Sequence, residues 1–371
     1  MSGNMITEQY KELIRRCEQC GTCTASCPTK EVSDFNIRKL VRHLQLEIHE
    51  EKDFLSKYPW LCTLCFRCKE LCTEGLEIPK LVWALRELAL SNEAAPKEVD
   101  VLLETIKSEN SPYVLKGKSK TSRIKPPITS SEDAKTLFWM GCTPSIRAPN
   151  IVSATVEVMN RLGHKFKVLN EEPCCGEPLI CLGLLDEAKD IANKVVKVIK
   201  EAGVSQVIAP CSGCYNAFTK LYPETLGVEL TGVEILHTSQ FLSKNLKDLK
   251  LETPMTVTYH DPCTLGRHAV VYDEPRKVLE NIEGLELVEM ERNKQFSSCC
   301  GGGGGLPSLK PNMALEIAER KLSKEVLPLG VEALVTSCPM CYLNFKFSSM
   351  KKKMPLKVYD LSEIAAMSLE K

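Results

Sequence analysis

The chain has 371 residues, enough for two or three domains with cores of their own. Lysine plus arginine equals aspartate plus glutamate at 48 each, so no basic field points to nucleic acid or to an anionic membrane surface. Nineteen cysteines stand out, and no apolar stretch reaches the roughly 18 residues of a membrane helix. The opening residues Met1 to Met5 lack a basic region followed by an apolar one. The expectation is a cytoplasmic protein that meets a membrane only through a partner. A secreted disulfide scaffold is excluded by size, and adjacent cysteines sit about 3.8 Å apart at Cα, below the usual bridge minimum of about 4.4 Å.

Residues 1–95 read as helical. Ile37, Leu40, Val41, Leu44 and Ile48 recur at helical spacing after a capping Ser33 or Asp34, and Leu81, Val82, Leu85 and Leu88 follow Pro79. Cys17, Cys20, Cys23 and Cys27 form C-x2-C-x2-C-x3-C-P; Cys62, Cys65, Cys68 and Cys72 repeat the spacing, with Thr73 in place of the proline. That spacing is the bacterial ferredoxin signature, in which the fourth cysteine of each run serves the other cluster. Cys17, Cys20, Cys23 and Cys72 are therefore expected to hold one cubane 4Fe-4S cluster, and Cys62, Cys65, Cys68 and Cys27 a second. Closed zinc sites use separated C-x2-C pairs instead. Residues 96–134, with Lys116, Lys118, Lys120, Arg123 and Lys125 before Pro126-Pro127, show no sustained periodicity and read as a linker whose charges are available to a partner or an anionic substrate.

The remainder reads as a duplication, 135–252 and 253–371. Each half runs from a strand candidate (136–140, 255–259) to a lone cysteine, then a second strand candidate (165–169, 285–290), an adjacent cysteine pair, a long helix near 185–202 or 311–327, and an apolar stretch entering a C-x2-C. The five-cysteine sets are Cys142, Cys174, Cys175, Cys211, Cys214 and Cys263, Cys299, Cys300, Cys338, Cys341; corresponding cysteines lie 121 to 127 residues apart. Ile235-Leu236-His237-Thr238-Ser239 and Val358-Tyr359-Asp360-Leu361-Ser362 close the halves alike. Alternating strands and helices imply parallel α/β units with the cysteines at strand ends. The fold class is thus an α+β multidomain chain: a helical ferredoxin-like domain, then two duplicated α/β domains.

Alone, Cys338-Pro339-Met340-Cys341 could be a thioredoxin-like redox pair. Its match to Cys211-Ser212-Gly213-Cys214, with three further cysteines at matched distances, favours ligation. The glycine run after Cys300 lacks a Walker pattern. Gly301, Gly302 and Gly303 would let backbone approach a cluster and aim N–H groups at its sulfurs. The first half offers only Gly176, which predicts the more accessible cluster in the second half. His260 is either a proton or substrate contact or a hydrogen bond that fixes its turn. Cys181 reads as a small buried core residue.

These motifs resemble the CCG-domain pattern, and the whole chain resembles the catalytic D-type subunit of heterodisulfide reductase, a fusion of ferredoxin-like C-type (Cys17 to Leu46) and B-type (135–371) parts. The resemblance implies that each five-cysteine set holds a noncubane 4Fe-4S cluster and that the pair faces a disulfide. It also implies cubanes that feed electrons from a membrane cytochrome b subunit, and the coenzyme M/coenzyme B heterodisulfide as substrate. Thr264 departs from the histidine that relatives often carry there. Iron-sulfur subunits of flavin-dependent glycolate, lactate and glycerol-3-phosphate dehydrogenases resemble the same layout. Because this chain has no GxGxxG-bearing βαβ unit, a flavin would sit on a partner flavoprotein.

Overall fold

The computed structural model describes residues 10, 13–46, 52–125, 128–246 and 249–369. Met1 to Met5, Ile48, Pro126 and Pro127 lie outside the described residues. Ile37–Gln45 forms a helix that buries Ile37, Leu40, Val41 and Leu44; its cap is Asn36, whose side chain accepts from the Lys39 N–H at 3.0 Å, rather than Ser33 or Asp34. Ile78–Ser91 forms a second helix with Pro79 in its first turn, where a missing N–H costs nothing. The segment read as a linker is ordered differently from that expectation. Lys97–Glu109 is a helix that buries Val99, Leu102, Leu103 and Ile106, a helical stripe that the surrounding acidic and basic residues obscure in the sequence.

Two parallel sheets follow. The first has the order β1-β2-β3 (Thr136–Phe138, Gln206–Ala209, Glu234–His237), and the second has the order β5-β4-β6-β7 (Ile282–Leu287, Leu249–His260, Ala333–Thr336, Lys357–Asp360). The expected strand 165–169 reduces to one rung. Lys167 exchanges backbone bonds with β1 at 2.8 and 2.9 Å, on the side of β1 that corresponds to β5 beside β4. β1 is only three residues long and offers no further rung, whereas β4 has twelve.

In the second sheet the chain leaves β4 for β5 on one side and returns to β6 on the other. That reversal opens a crevice at the carboxyl ends of β4 and β6, the place where doubly wound sheets build sites. β1 and β2 form the equivalent pair. Cys142 and Cys211 lie just past β1 and β2, and Cys263 and Cys338 just past β4 and β6.

The duplicated endings carry the same device in different residues. His237 and Asp360 each cap the helix after the last strand with a complete capping box. The Nδ1 of His237 accepts the Ser239 N–H at 3.1 Å, so the ring is neutral, and burial holds its pKa down to about 3. The two sheets share one apolar core in which Phe138, Val152 and Phe241 meet Tyr259 and Ile364. Another core joins the N-terminal module to the first half through Leu85, Leu88, Leu102, Leu182 and Trp139.

Arg86, fully buried on the helix Ile78–Ser91, ties all three units together. Its Nε and Nη2 donate to the Pro59 carbonyl at 3.0 and 2.9 Å, and Nη2 also donates to Cys62 O at 2.9 Å. Its Nη1 donates to Gly304 O at 2.9 Å and to Cys181 O. The guanidinium lies 5.3 Å from the Trp60 ring. Replacement by Met should strand these carbonyls at a cost of about 3 kcal/mol or more, read as a lowered unfolding midpoint with early iron loss. His237 yields a second expectation. Its unfolded form binds a proton near the ordinary value of 6.5 while the folded form stays neutral until about 3, so its contribution declines as pH falls below that ordinary value. His237→Asn retains a capping acceptor, and its unfolding midpoint should drop less than that of the parent between about pH 7 and pH 5.

Candidate iron-sulfur site and inter-sheet cavity

The two N-terminal cysteine runs build the same loop. Gln19 and Gly21 flank Cys20 with φ of 59° and 86°, and Leu64 and Phe66 flank Cys65 with 51° and 61°. Left-handed residues on both sides of a cysteine turn successive N–H groups inward, as in anion-binding nests; the Leu64 N–H lies 3.4 Å from the Cys62 sulfur. Three of these four residues carry side chains, so the loops hold strain of about 1 kcal/mol per residue that only a function justifies. Cys27, from the first run, lies against Cys62 and Cys65, and its burial pushes its thiol up to about 12. Cys68 faces Cys62, Cys65 and Cys27. Cys27 thus stands beside the second run rather than only its own. Cys17 and Cys20 lie near Cys23; Cys20 is exposed and Cys72 half-buried.

A cavity of about 150 Å³ separates the two five-cysteine sets. All of Cys142, Cys174, Cys175, Cys211 and Cys214 line it from the first half, and Cys263, Cys300, Cys338 and Cys341 from the second. The Cys300 and Cys341 sulfurs are 3.1 Å apart. Hydrogen bonds from Cys299 and Cys341 hold Cys300 well below the ordinary thiol range, and those from Cys174 and Cys214 bring Cys175 down to about 7. Thiolate character of this kind suits a metal ligand. The donor sets fit clusters in a further respect, because the Gly301 and Gly302 N–H groups point at the Cys299 and Cys300 sulfurs at 3.3 Å each, and the Gly176 N–H at Cys174 at 3.5 Å.

The glycine run serves a second purpose. A Cβ on Gly303 would lie 2.8 Å from Thr63 O, and one on Gly304 2.5 Å from Cys62 O. The run therefore packs against the loop that carries Cys62 and Cys65, and Cys65 interacts with Cys299. Cys65, Cys263 and Cys299 form one buried cluster. This contact reverses the expected accessibility: all five cysteines of the second set are buried, whereas Cys211 of the first is half-buried.

Each set has a buried cation that the sequence did not reveal as such. The Nζ of Lys120 donates to Glu172 O and lies 3.4 Å from the Cys142 sulfur. Desolvation opposes its charge, but Cys142 and Glu172 outweigh it, and its pKa is raised. The Glu172 carboxylate receives the Met140 and Gly141 N–H groups at 2.7 and 2.8 Å and so fixes the turn before Cys142. In the second half Arg267 donates to Cys65 O at 2.6 Å and to Ser297 O at 2.7 Å, clamping the Cys65 loop to the second half.

His260 does not line the cavity. A nitrogen of its ring and the Cys300 and Cys341 sulfurs lie within 4.8 Å of one another, and Nε2 has no partner. Burial keeps the ring neutral, and Ser297 lies 3.5 Å from Nδ1. Trp139 stands at the equivalent strand end, also with an unpartnered ring N–H. Thr264 meets Ser212 of the first half across the cavity, hydroxyl to hydroxyl at 2.6 Å. Cys181 is buried as expected, but it donates to the half-buried Glu177 carboxyl at 3.1 Å.

Among known proteins, the model of a cysteine-rich domain matches residues 136–219 and again 257–346, and that of a 4Fe-4S dicluster domain matches 13–76. The chain is 32% identical to the D-type subunit of the dihydromethanophenazine:CoB–CoM heterodisulfide reductase of Methanosarcina acetivorans, over 99% of this chain and 96% of that protein. It is 31% identical to the B-type subunit of a CoM/CoB fumarate reductase of Methanothermobacter marburgensis, over 97% and 74% respectively. It is also 28% identical to the EtfAB:quinone oxidoreductase of Syntrophomonas wolfei, over 85% and 47%. A solved hypothetical protein from Helicobacter pylori shares the fold at a TM-score of 0.64 and 12% identity, covering all of this chain and 74% of its own.

Gly304→Ala tests the packing of the two units. With φ at +63° and Cys62 O in the way, the added methyl should part the Cys62–Cys65 loop from the second set. A destabilisation of about 2 kcal/mol or more is expected, together with slower reduction of the second set's cluster than in the parent under the same donor. Gly330→Ala, also at positive φ but with nothing near its Cβ, is the control for backbone strain alone.

Proposed function

The chain belongs to the heterodisulfide reductase D-type family of iron-sulfur oxidoreductases, and we propose that it reduces a disulfide in the cavity between the two five-cysteine sets. The observation that carries this reading is the convergence of nine of those ten cysteines on one cavity, with Cys65 of the N-terminal module against the tenth, Cys299. In this reading residues 1–95 form the relay. Cys17, Cys20, Cys23 and Cys72 hold one cubane, and Cys62, Cys65, Cys68 and Cys27 the other. Residues 135–252 and 253–371 each hold a noncubane 4Fe-4S cluster through their five cysteines. The segment 96–134 supplies Lys120 and the Tyr113 wall of the cavity rather than a free linker.

Reduction of R–S–S–R′ takes two electrons and two protons and releases two thiols. When bound, two clusters facing one S–S bond supply one electron each. The protein's own groups do the rest. Lys120 and Arg267 hold positive charge beside the ligand sulfurs of each set. Arg86 and the glycine run fix the relay against the second set. The Ser212–Thr264 pair spans the two halves where the substrate sulfurs would lie, so Thr264 sets the shape of the site at the position where relatives often place histidine. The cavity lining contains Glu177 but no Lys or Arg among the described residues, so any anionic tail of the disulfide would have to find its cations beyond this lining. The coenzyme M/coenzyme B heterodisulfide, or a related disulfide, is the proposed substrate class.

No helix of the described residues is long and apolar enough to cross a membrane. The proposed place is the cytoplasm, with attachment to a membrane through a cytochrome b or flavoprotein partner. The second reading, an electron-transfer subunit that serves a flavin-dependent dehydrogenase, draws on the similarity to the EtfAB:quinone oxidoreductase.

The two readings separate on exposure to thiol. Anaerobically purified protein should carry roughly 16 iron atoms per chain if four 4Fe-4S clusters assemble. Oxidised protein given a thiol should develop a new paramagnetic signal, and Cys300→Ala or Cys341→Ala should abolish both it and disulfide reduction while cubane signals persist. Cys65→Ser should interrupt supply from the physiological donor yet spare part of the reduction driven by a small artificial donor. Absence of any thiol response, with clusters reduced instead by a hydroxyacid through a flavoprotein, would establish the second reading.

A further inference from the structure

A second opening, a cleft of about 380 Å³, runs between the N-terminal module and the second half, and no residue lines both it and the cavity described above. Ala25, Ser26 and Pro28 form part of one wall, helix Pro311–Lys321 and its continuation part of the other, and Cys299 lines it. The adjacent pair thus divides: Cys300 lines the inter-sheet cavity and Cys299 the cleft.

Charge in the cleft is unevenly matched. Glu31 is taken by Lys324 at 2.7 Å and Arg320 at 3.3 Å. Glu325 is taken by Lys321 at 2.9 Å, with Arg292 at 3.9 Å. Arg67 remains. It is 7% exposed, lines the cleft, and its Nε has no hydrogen-bond partner. A buried guanidinium is ordinarily paired, because desolvating its charge without a partner is costly. Its planar fork matches a carboxylate, sulfonate or phosphate bidentately, and the exposed Arg292 adds a second cation at the same cleft. The volume falls in the range of small-molecule sites rather than of single ions.

We propose that this cleft binds a small organic oxyanion whose phosphate, sulfonate or carboxylate head sits on Arg67. Arg67 lies between Cys65 and Cys68, and Cys299 borders the cleft, so a bound anion adds negative charge beside the contact between the relay and the second set. Negative charge near a cluster lowers its reduction potential. The cleft is therefore an effector site that makes electrons at this junction harder to load and more reducing once loaded. This inference does not depend on the substrate reading above.

The test is calorimetric titration of the iron-loaded protein at low ionic strength with inorganic phosphate, phenyl phosphate and ethanesulfonate, against chloride at matched ionic strength. Saturable binding of an oxyanion beyond the chloride control is expected. Preference for phenyl phosphate or ethanesulfonate identifies an organic ligand, and tighter binding of inorganic phosphate identifies the free ion. Arg67→Gln should weaken binding roughly tenfold or more at unchanged iron content. Should that variant lose iron, Arg292→Glu at the exposed rim decides, with the same expected loss. Potentiometric titration followed by paramagnetic resonance should show a cluster potential moved to more negative values by the bound anion, a shift that a merely structural Arg67 would not produce. Heats indistinguishable from chloride, or binding unchanged in Arg292→Glu and in an iron-loaded Arg67→Gln, would overturn the proposal.

Discussion

Five hydrogen bonds from one guanidinium hold the redox units of this protein in register. Among the described residues Arg86 has no carboxylate partner; its N–H groups end on the carbonyls of Pro59, Cys62, Cys181 and Gly304. Carbonyl partners leave the full positive charge in place beside Cys62 while satisfying every donor–acceptor requirement that burial imposes. A carboxylate would have neutralised that charge, and a lysine could not reach four carbonyls in one plane. The same side chain therefore performs two tasks: it closes the joint between three units, and it supplies positive potential where a cluster of anionic sulfurs is expected.

Around that joint, the site follows from sheet topology. Parallel order places the carboxyl ends of all strands on one edge, and the reversal at β4 opens a crevice there. Duplication supplies two such edges, and the shared core of the two sheets turns them toward one cavity. The adjacent cysteine pairs then have a purpose that neither a disulfide nor a zinc site could give them. In the second half Cys300 lines the inter-sheet cavity while Cys299 meets Cys65 of the N-terminal module, so one dipeptide faces two directions.

The repeat and the parallel α/β character of both halves were legible in the sequence, because each rests on spacing. What spacing cannot carry was missed. The helix Lys97–Glu109 hides its apolar stripe among charges. The strand expected at 165–169 depends on the length of its neighbour, not on its own composition. Lys120 reads as a solvated charge because nothing in its vicinity signals that Glu172 and Cys142 will surround it. Arg86 and Arg67 each occupy an unremarkable position in a helical or cysteine-rich context, and their roles arise from contacts with segments far along the chain. The glycine run was read for its N–H groups, correctly for Gly301 and Gly302, while the close approach of Cys62 and Thr63 to Gly303 and Gly304 required the tertiary structure.

The two halves share a design yet differ in how each compensates its sulfurs. Thiolates gathered in a low-dielectric interior demand nearby positive charge or N–H donors, and the demand falls equally on both sets. The first half draws a lysine from outside the repeat, Lys120, and fixes its turn with Glu172. The second half draws an arginine from its own loop, Arg267, which directs its donors to Cys65 O and Ser297 O and so couples compensation to docking of the relay. The N-terminal module thus abuts the half whose cation also binds it, and the other half, with Cys211 half-buried, stands across the cavity from that contact. A duplicated scaffold has in this way become an asymmetric one: the order of the five cysteines is retained, while the cations and glycines around them diverge so that the second half docks the N-terminal module.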